Sequence, residues 1–156
     1  MRAQKSTLRQ PDEFLEKWYI VDAEGQVVGR FAARVAKLVR GKLLPEFSPH
    51  LDPHIHVIIT NADKILFTGN KLKEKVYYHH TGFRTGIKST TPEKLLATKP
   101  EQILIKAIHG MLPKNRLGRA LDKHLRVYRS GEYNGQHDAQ KPEPLVIKTR
   151  TPKARA

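Results

Sequence analysis

Apolar residues along the chain recur at two spacings, and these separate predicted strands from predicted helices. Short apolar runs bounded by turn residues predict buried strands at 18–21 and 55–60, with further strands at 65–67 and 126–128. Residues 28–40 instead place their large apolar side chains on one face at helical spacing. This segment is therefore predicted to be an amphipathic helix.

Proline and capping residues predict where the later helices begin. Residues 91–93, Thr-Pro-Glu, combine a capping hydroxyl, a first-turn proline and an acid near the positive end of the helix dipole. Pro100 and Glu101 repeat this start ahead of an apolar face that ends at Leu112. Residues 117–125 predict a third amphipathic helix.

The remaining segments show neither spacing clearly. Residues 71–75 are predicted to be a charged connector, 82–91 a loop and 130–156 a basic segment that runs over the surface. Residues 76–81 fit either a strand or an extended loop.

The alternation of strands and helices predicts the fold class. Because the strands are apolar on both faces, we expect an α/β protein with a mainly parallel sheet covered by helices on both sides. The predicted single domain spans residues 17–145, between an N-terminal arm at 1–16 and a basic C-terminal tail at 146–156.

The charge of the chain indicates its partner. The chain is 38% hydrophobic, enough for a core, yet it carries 29 Lys and Arg against 15 Asp and Glu, a formal net charge of +14. Residues 1–78 hold 13 basic and 9 acidic residues (+4), whereas residues 79–156 hold 16 and 6 (+10). Such an excess destabilises a folded protein by self-repulsion, so it predicts a polyanionic partner that contacts mainly the C-terminal half.

The absence of cysteine excludes disulfides, thiol nucleophiles and cysteine-ligated metal sites. The N-terminus has no apolar signal core, and no stretch approaches the roughly 20 apolar residues of a membrane helix. These features predict a soluble cytoplasmic protein without a membrane partner.

Two predicted helices carry basic residues opposite their apolar faces. A solvated helix face usually mixes signs to gain ion pairs, whereas stripes of one sign match the spacing of backbone phosphates. We therefore favour nucleic-acid contact over a solvated face. The first basic stripe comprises Arg30, Arg34 and Lys37, extended by Arg40 and Lys42, and the second comprises Lys114, Arg116, Arg119, Lys123 and Arg126.

Residues 76–84 interleave aromatic, imidazole and glycine residues with basic ones. Such a segment can stack on unpaired bases or pack against ribose and phosphate. It can equally be a half-buried strand whose tyrosines alternate between core and surface. The sequence leaves both interpretations open, and a mixture of the two is expected.

Histidines and glycines suggest two kinds of ligand site that the sequence does not support. His54 and His56 would point the same way from a strand, but no nearby carboxylate or cysteine completes a metal-ligand pattern. Gly25 and Gly29 lie in a strand–turn–helix order like that of a dinucleotide fold, yet the glycine fingerprint and the phosphate loop are absent. No metal, cofactor or small-molecule substrate is predicted.

A small basic nuclease is the strongest enzymatic alternative. Asp22, Asp52 and Asp63 lie near strand ends and would have to converge on a metal ion, although such residues more often cap turns. No serine occupies a nucleophile elbow and no nucleophile–base pair can be named, so catalysis is not predicted. A free regulator that binds messenger RNA is a third class of protein to consider.

An ordered set of motifs spans most of the chain, from residue 17 to residue 145. The motifs are Trp18-Tyr19 with Asp22-Ala23, Gly29-Arg30 with Ala32, Arg40-Gly41-Lys42, Pro49-His50 with Asp52, Asn61-Ala62 with Lys64, Thr68-Gly69 with Lys71, Tyr77-Tyr78 with His80-Thr81-Gly82, Gly110-Met111-Leu112-Pro113 followed by Gly118-Arg119, and His137 with Ala139-Gln140 and Pro142. In this order they resemble the family of large-subunit ribosomal protein thirteen, in its bacterial form. The chain departs from that family at His109, where a basic residue is usual, at Arg84-Thr85, at Pro53-His54, and at 148–156, which run past the usual C-terminus.

The resemblance implies a three-layer α/β/α fold with a four-stranded, mainly parallel sheet and extended basic termini. It also implies a non-catalytic constituent of the large ribosomal subunit that binds large-subunit ribosomal RNA, contacts neighbouring large-subunit proteins and helps early subunit assembly. By similarity, the basic residues beside the motif at 110–113 should lie against RNA. Besides the two stripes, the predicted RNA-binding residues are Lys71, Tyr78, His79, His80, Arg84, Lys88, Arg129, Lys148 and Arg150.

Overall fold

The computed structural model describes residues 15–45, 47–131, 133 and 138–147 of the chain. Most of the predicted arm, as well as Lys148 and Arg150, lies outside these residues. None of the described helices is long and apolar enough to cross a membrane. The helices and strands are β1 (Lys17–Asp22), α1 (Val28–Val39), β2 (Ile55–Thr60), α2 (Lys71–Glu74), β3 (Tyr77–His80), β4 (Ile87–Thr90), α3 (Pro92–Thr98), α4 (Glu101–His109), α5 (Arg116–Asp122), β5 (Leu125–Val127) and β6 (Glu143–Pro144).

Four strands form one parallel sheet in the order β5-β2-β1-β6. β1 and β2 pair along their whole length, from Lys17 opposite Ile55 to Asp22 opposite Thr60. β2 is central, and its β-branched side chains are buried on both faces of the sheet. The predicted parallel sheet and its number of strands are therefore confirmed.

Helices α1 and α4 each bury one face in the hydrophobic core, against the sheet and against each other. On α1, Phe31 and Val35 are fully buried and belong to the same hydrophobic core as Ile103 and Ile108 of α4. Removing each such side chain from water stabilises the fold by about 1.5–3 kcal/mol. α1 packs against both α4 and β2, and this arrangement agrees with the predicted three-layer α/β/α class.

The predicted strand at 65–67 is wrong. Only one parallel bridge forms there, between Val27 and Leu66. The backbone nitrogen of Leu66 donates to Gln26, and the nitrogen of Val28 donates back to Leu66. Pairing cannot continue because the segment that pairs with Leu66 turns into α1 at Val28. The apolar run at 65–67 therefore makes only this one bridge.

Two segments predicted to lack regular structure contain short elements. Residues 71–75, the predicted connector, hold the single-turn helix α2, and the predicted loop at 82–91 contains β4. β3 and β4 form a separate antiparallel pair, which also settles the open assignment of residues 76–81 as a strand. β4 is exposed along most of its length, so it lacks the alternation of apolar and polar residues that predicts a strand.

The fourth strand of the sheet comes from a segment that we predicted to run over the surface. β6 pairs with Tyr19 and Ile20 of β1, and Ile147 just beyond it is buried in the core. Both β6 residues are exposed, so the segment lacks the apolar residues by which a strand is predicted from sequence. Its proline is tolerated because β6 is an edge strand. The last predicted helix and strand are present, shifted by a few residues to α5 and β5.

Candidate nucleic-acid interface

The first basic stripe lies on the exposed side of α1. Arg30, Arg34 and Lys37 are exposed, opposite the buried Phe31 and Val35. No acidic residue occurs within α1, so its solvent face carries one sign of charge. This is the arrangement that the helical spacing predicted.

The chain beyond α1 is held by close packing. Gly41 has a φ of 76°, and a Cβ at this position would lie 2.7 Å from Cβ of Pro53, so both its conformation and its packing require glycine. Arg40 is half-buried; its guanidinium donates to the carbonyl of Pro49 at 3.3 Å and lies 6.0 Å from the ring centroid of Phe47. Three backbone hydrogen bonds, donated by the nitrogens of residues 40–42 to carbonyls of the last turns of α1, fix the backbone of this segment.

The second stripe begins at a tightly built helix start. The Asn115 side chain accepts a hydrogen bond from the Gly118 nitrogen at 2.8 Å and so caps α5. A Cβ on Gly118 would lie 1.7 Å from the carbonyl oxygen of Pro113, so only glycine allows the loop and the helix to approach this closely. Around this start, Lys114, Arg116 and Arg119 are exposed.

Three surface grooves meet at the loop formed by residues 110–113. The first groove, of about 450 Å³, lies between this loop and the end of α1. The second, of about 540 Å³, lies between the loop, the start of α1 and α2, and the third, of about 320 Å³, lies between the loop and α5. The basic residues that line them are Lys37, Arg40 and Lys42 in the first, Arg30, Lys71 and Lys75 in the second, and Lys114 and Arg119 in the third.

The lining of these grooves has a single sign of charge. Among the described residues, no Asp or Glu lines any of the three. Asp122, the acid of α5, instead pairs with His109, whose Nδ1 lies 3.3 Å from a carboxylate oxygen. Because adjacent cations repel one another, a surface of this kind is best stabilised by an extended polyanion.

The predicted aromatic and imidazole residues lie on a hairpin formed by β3 and β4. Tyr78, His79 and His80 are exposed on β3. Lys88 is exposed on β4, and Arg84 is exposed in the connecting loop. All five predicted residues of this segment are therefore accessible to a partner.

The structure does not bring every predicted residue to the three grooves. Arg34 lines a fourth groove, which it shares with Lys37 and the apolar residues Leu43 and Val146. Arg126 lies at the sheet edge, where its guanidinium donates to the carbonyls of Lys123 and Leu125. Arg116, Lys123 and Arg129 are exposed, and none of them lines one of the three grooves.

The sequence did not indicate two of the residues that complete the surface. Lys75 lines the second groove, and its Nζ lies 4.9 Å from the ring centroid of Tyr77. Met111 lines both the first and the second groove and so joins them. The run of lysines at 71–75 was a signal for Lys75, whereas the position of Met111 depends on how α4 ends against α1.

Several histidines pack together at the amino-terminal ends of the parallel strands. The rings of Trp18 and His56 are stacked with centroids 4.2 Å apart, and His124 lies 4.3 Å beyond His56. Burial lowers the pKa of both histidines below the ordinary value of 6.5. Within the described ranges, no group of three or more His, Asp or Glu side chains has an arrangement that could hold a metal ion.

The three aspartates of the nuclease alternative do not share one site, because Asp22 and Asp63 lie near Lys64 whereas Asp52 lies at the other end of the sheet. Asp22 ends β1, where its carboxylate accepts hydrogen bonds from the Glu24 nitrogen and the Asn61 side chain, both at 2.9 Å. Asp52 precedes β2 at the opposite end of the sheet, a strand length of about 16 Å away. It accepts from the His54 nitrogen at 3.0 Å, so both aspartates cap turns.

The fold and the surface together define a class of protein: a small α/β protein with basic, acid-free grooves that suit a polyanion. The family model described as ribosomal protein L13 matches residues 16–134, well over half of the chain. The chain therefore belongs to the ribosomal protein L13 family, and the assignment made from its ordered motifs is confirmed.

Curated relatives agree with this assignment along almost the whole chain. A protein of Thermoanaerobacter sp. (strain X514) is 49% identical over 143 residues, which are 92% of this chain and 99% of the relative. Proteins of Thermotoga maritima and Symbiobacterium thermophilum are 49% and 50% identical, each over 92% of this chain and 95% and 99% of their own lengths. All three bear the name large ribosomal subunit protein uL13.

Proposed function

We propose that this protein is a non-catalytic structural component of the large ribosomal subunit in the cytoplasm, where it binds large-subunit ribosomal RNA and helps early subunit assembly. The observation that supports this most directly is the meeting of three acid-free basic grooves at residues 110–113. The family to which the chain belongs agrees with that role.

The proposed mechanism is positional. A groove lined by Lys and Arg neutralises phosphates without distinguishing base sequence, and each contact releases counterions. Because the three grooves leave one loop in different directions, separate RNA segments bound in them would be fixed relative to one another. The rigid supports of the loop, including Gly118 against Pro113, make it suited to this role.

The exposed basic residues outside the grooves extend the proposed surface. Further RNA segments or neighbouring large-subunit proteins would contact Arg34, Arg116, Lys123, Arg126 and Arg129, and RNA would also contact Lys148 and Arg150 in the proposed basic tail. The proposed domain at 17–145 then acts as the folded anchor for the terminal segments.

Sedimentation of ribosomes tests this proposal. After centrifugation of a cell lysate in high salt, the protein is expected to travel with the large subunit, since many simultaneous contacts resist screening better than a few. A protein that stays at the top of the gradient at all salt concentrations would overturn the proposal, and a complex with one messenger RNA found there would favour the regulatory alternative.

A further inference from the structure

The hairpin of β3 and β4 exposes large apolar side chains that a folded protein would ordinarily cover. The exposed fractions are 70% for Tyr78, 78% for Phe83 and 67% for Ile87. Burying one such side chain is favourable by about 1.5–3 kcal/mol, and contiguous exposed apolar surface usually marks a binding site. The hairpin therefore presents a surface that a partner would cover.

The register of the hairpin sorts its residues onto two faces. Tyr78 lies opposite Ser89 and His80 lies opposite Ile87, so these side chains share one face of the pair. Tyr77 and Thr90 lie on the other face, where both are half-buried. The aromatic face thus points away from the body of the protein.

Tyr77 holds the hairpin against the domain. Its ring packs against the hydrophobic core, and its hydroxyl is buried without a hydrogen-bond partner. The ammonium groups of Lys75 and Lys106 lie 4.9 and 5.4 Å from the ring centroid, close enough for cation–π attraction. A two-stranded hairpin is marginal on its own, so this anchor sets the orientation of its outer face.

The tip of the hairpin has a defined geometry that presents Phe83. The Thr81 nitrogen donates to the Gly86 carbonyl at 3.0 Å, and the Gly86 nitrogen donates to the Phe83 carbonyl at 2.9 Å. His80 accepts from the Gly82 nitrogen through Nδ1 at 3.0 Å, which leaves Nε2 to carry the imidazole proton. The tip is thus preorganised, with a hydrogen-bond donor beside its aromatic residues.

Charge identifies the partner. Residues 75–92 contain three basic residues, Lys75, Arg84 and Lys88, and no Asp or Glu. Exposed aromatic rings among cations suit a ligand that carries both flat faces and negative charge, which single-stranded RNA supplies. Duplex RNA keeps its bases stacked inside, so its backbone would gain little from Tyr78 and Phe83.

We propose that the outer face and the tip of the β3–β4 hairpin bind unpaired RNA bases, with Tyr78 and Phe83 stacking on them and Arg84 contacting their phosphates. This inference rests on the proposed RNA-binding function and adds a division of roles to it. The grooves at 110–113 would contact the RNA backbone, and the hairpin would capture a loop or bulge.

Binding of two short RNAs to the full-length protein tests this division. The probes are an oligoadenylate of about twelve nucleotides and a duplex of similar length. We expect Tyr78→Ala combined with Phe83→Ala to weaken oligoadenylate binding by about 5- to 150-fold for each stacked base lost, with duplex affinity within about twofold of wild type. Both side chains are exposed, so their removal leaves the core intact.

Two matched variants separate stacking from loss of apolar surface. Tyr78→Phe combined with Phe83→Tyr keeps both rings and should bind oligoadenylate as wild type does. Leu15→Ala combined with Ile105→Ala removes exposed apolar side chains that lie outside the hairpin and the four grooves, and it should change neither affinity.

The outcomes distinguish this inference from the proposed function. Equal affinities of wild type and the alanine variant for oligoadenylate would overturn the hairpin proposal, and so would equal weakening for both probes. If the alanine variant bound both RNAs normally but entered large subunits poorly, the face would be a protein contact instead. Failure of the wild-type protein to bind either RNA or large-subunit ribosomal RNA would overturn the proposed function itself.

Discussion

Single residues decide how closely the loop at 110–113 and the helices around it can pack. Gly118 is required because the backbone of Pro113 occupies the space that a side chain would need. Around Gly29, in the first turn of α1, no atom other than those of its chain neighbours and its own helix backbone lies within 4 Å of the position of a Cβ. The two glycines look equivalent in the sequence, yet only the first is needed for packing.

Replacing Gly118 with alanine should destabilise the protein. A Cβ lying 1.7 Å from the Pro113 carbonyl oxygen forces the loop and α5 apart, and such overpacking costs about 1–3 kcal/mol or more. Gly29→Ala is the matched control and should stabilise by about 0.5–1 kcal/mol, since alanine favours the helix. Urea unfolding measures both, and equal effects would contradict the packing argument.

At the amino-terminal edge of the sheet, histidines from neighbouring strands pack together, and their burial makes the stability of the fold depend on pH. His56 and His124 pack against Trp18 between β1, β2 and β5, with Glu16, Asp52, His54 and Arg126 nearby. Burial is the largest cause of the lowered pKa of both histidines. Burial of the two rings thus favours neutral imidazoles in the folded state.

The free energy of unfolding should fall as the pH drops below about 6.5. The unfolded chain binds protons at the ordinary histidine pKa of 6.5, whereas the folded chain resists protonation until its lowered pKa values are reached. His56→Phe keeps a stacked ring without a titratable group, so it should reduce this fall. Urea unfolding at about pH 7.5 and pH 5.5 measures the difference, and an unchanged pH dependence in the variant would refute the assignment.

At the scale of the whole molecule, the loop at 110–113 joins basic residues that are far apart in the sequence. Lys37 on α1 and Arg119 on α5 line two grooves that share Leu112 and Pro113. Lys64 lies elsewhere and already pairs with Glu24 at 3.0 Å. Binding to RNA should therefore depend on the first two residues and not on the third.

Replacing Lys37 and Arg119 with alanine should weaken binding to large-subunit ribosomal RNA and flatten its salt dependence. Each lost phosphate contact reduces the slope of log K against log salt by about 0.7–0.9. Lys64→Ala is the matched control and should leave the slope unchanged. Filter binding over a range of salt concentrations measures this, and an unchanged slope in the double variant would show that these grooves do not hold phosphates.

The sequence by itself determined the strongly periodic parts of this protein. β2 and α1 were predicted almost to the residue, because a β-branched run and a one-sided helix have only one way to bury their apolar side chains. The ordered motifs determined the family, and the one-signed stripes predicted a polyanionic partner.

Only the tertiary structure decided which residues meet. β4 and β6 are short and exposed, so their pairing partners and not their own patterns make them strands. The apolar run at 65–67 failed as a strand because its neighbour turns into α1. Likewise, the surface at 110–113 exists because α1, α4 and α5 converge there, and such long-range packing leaves no local periodicity in the sequence.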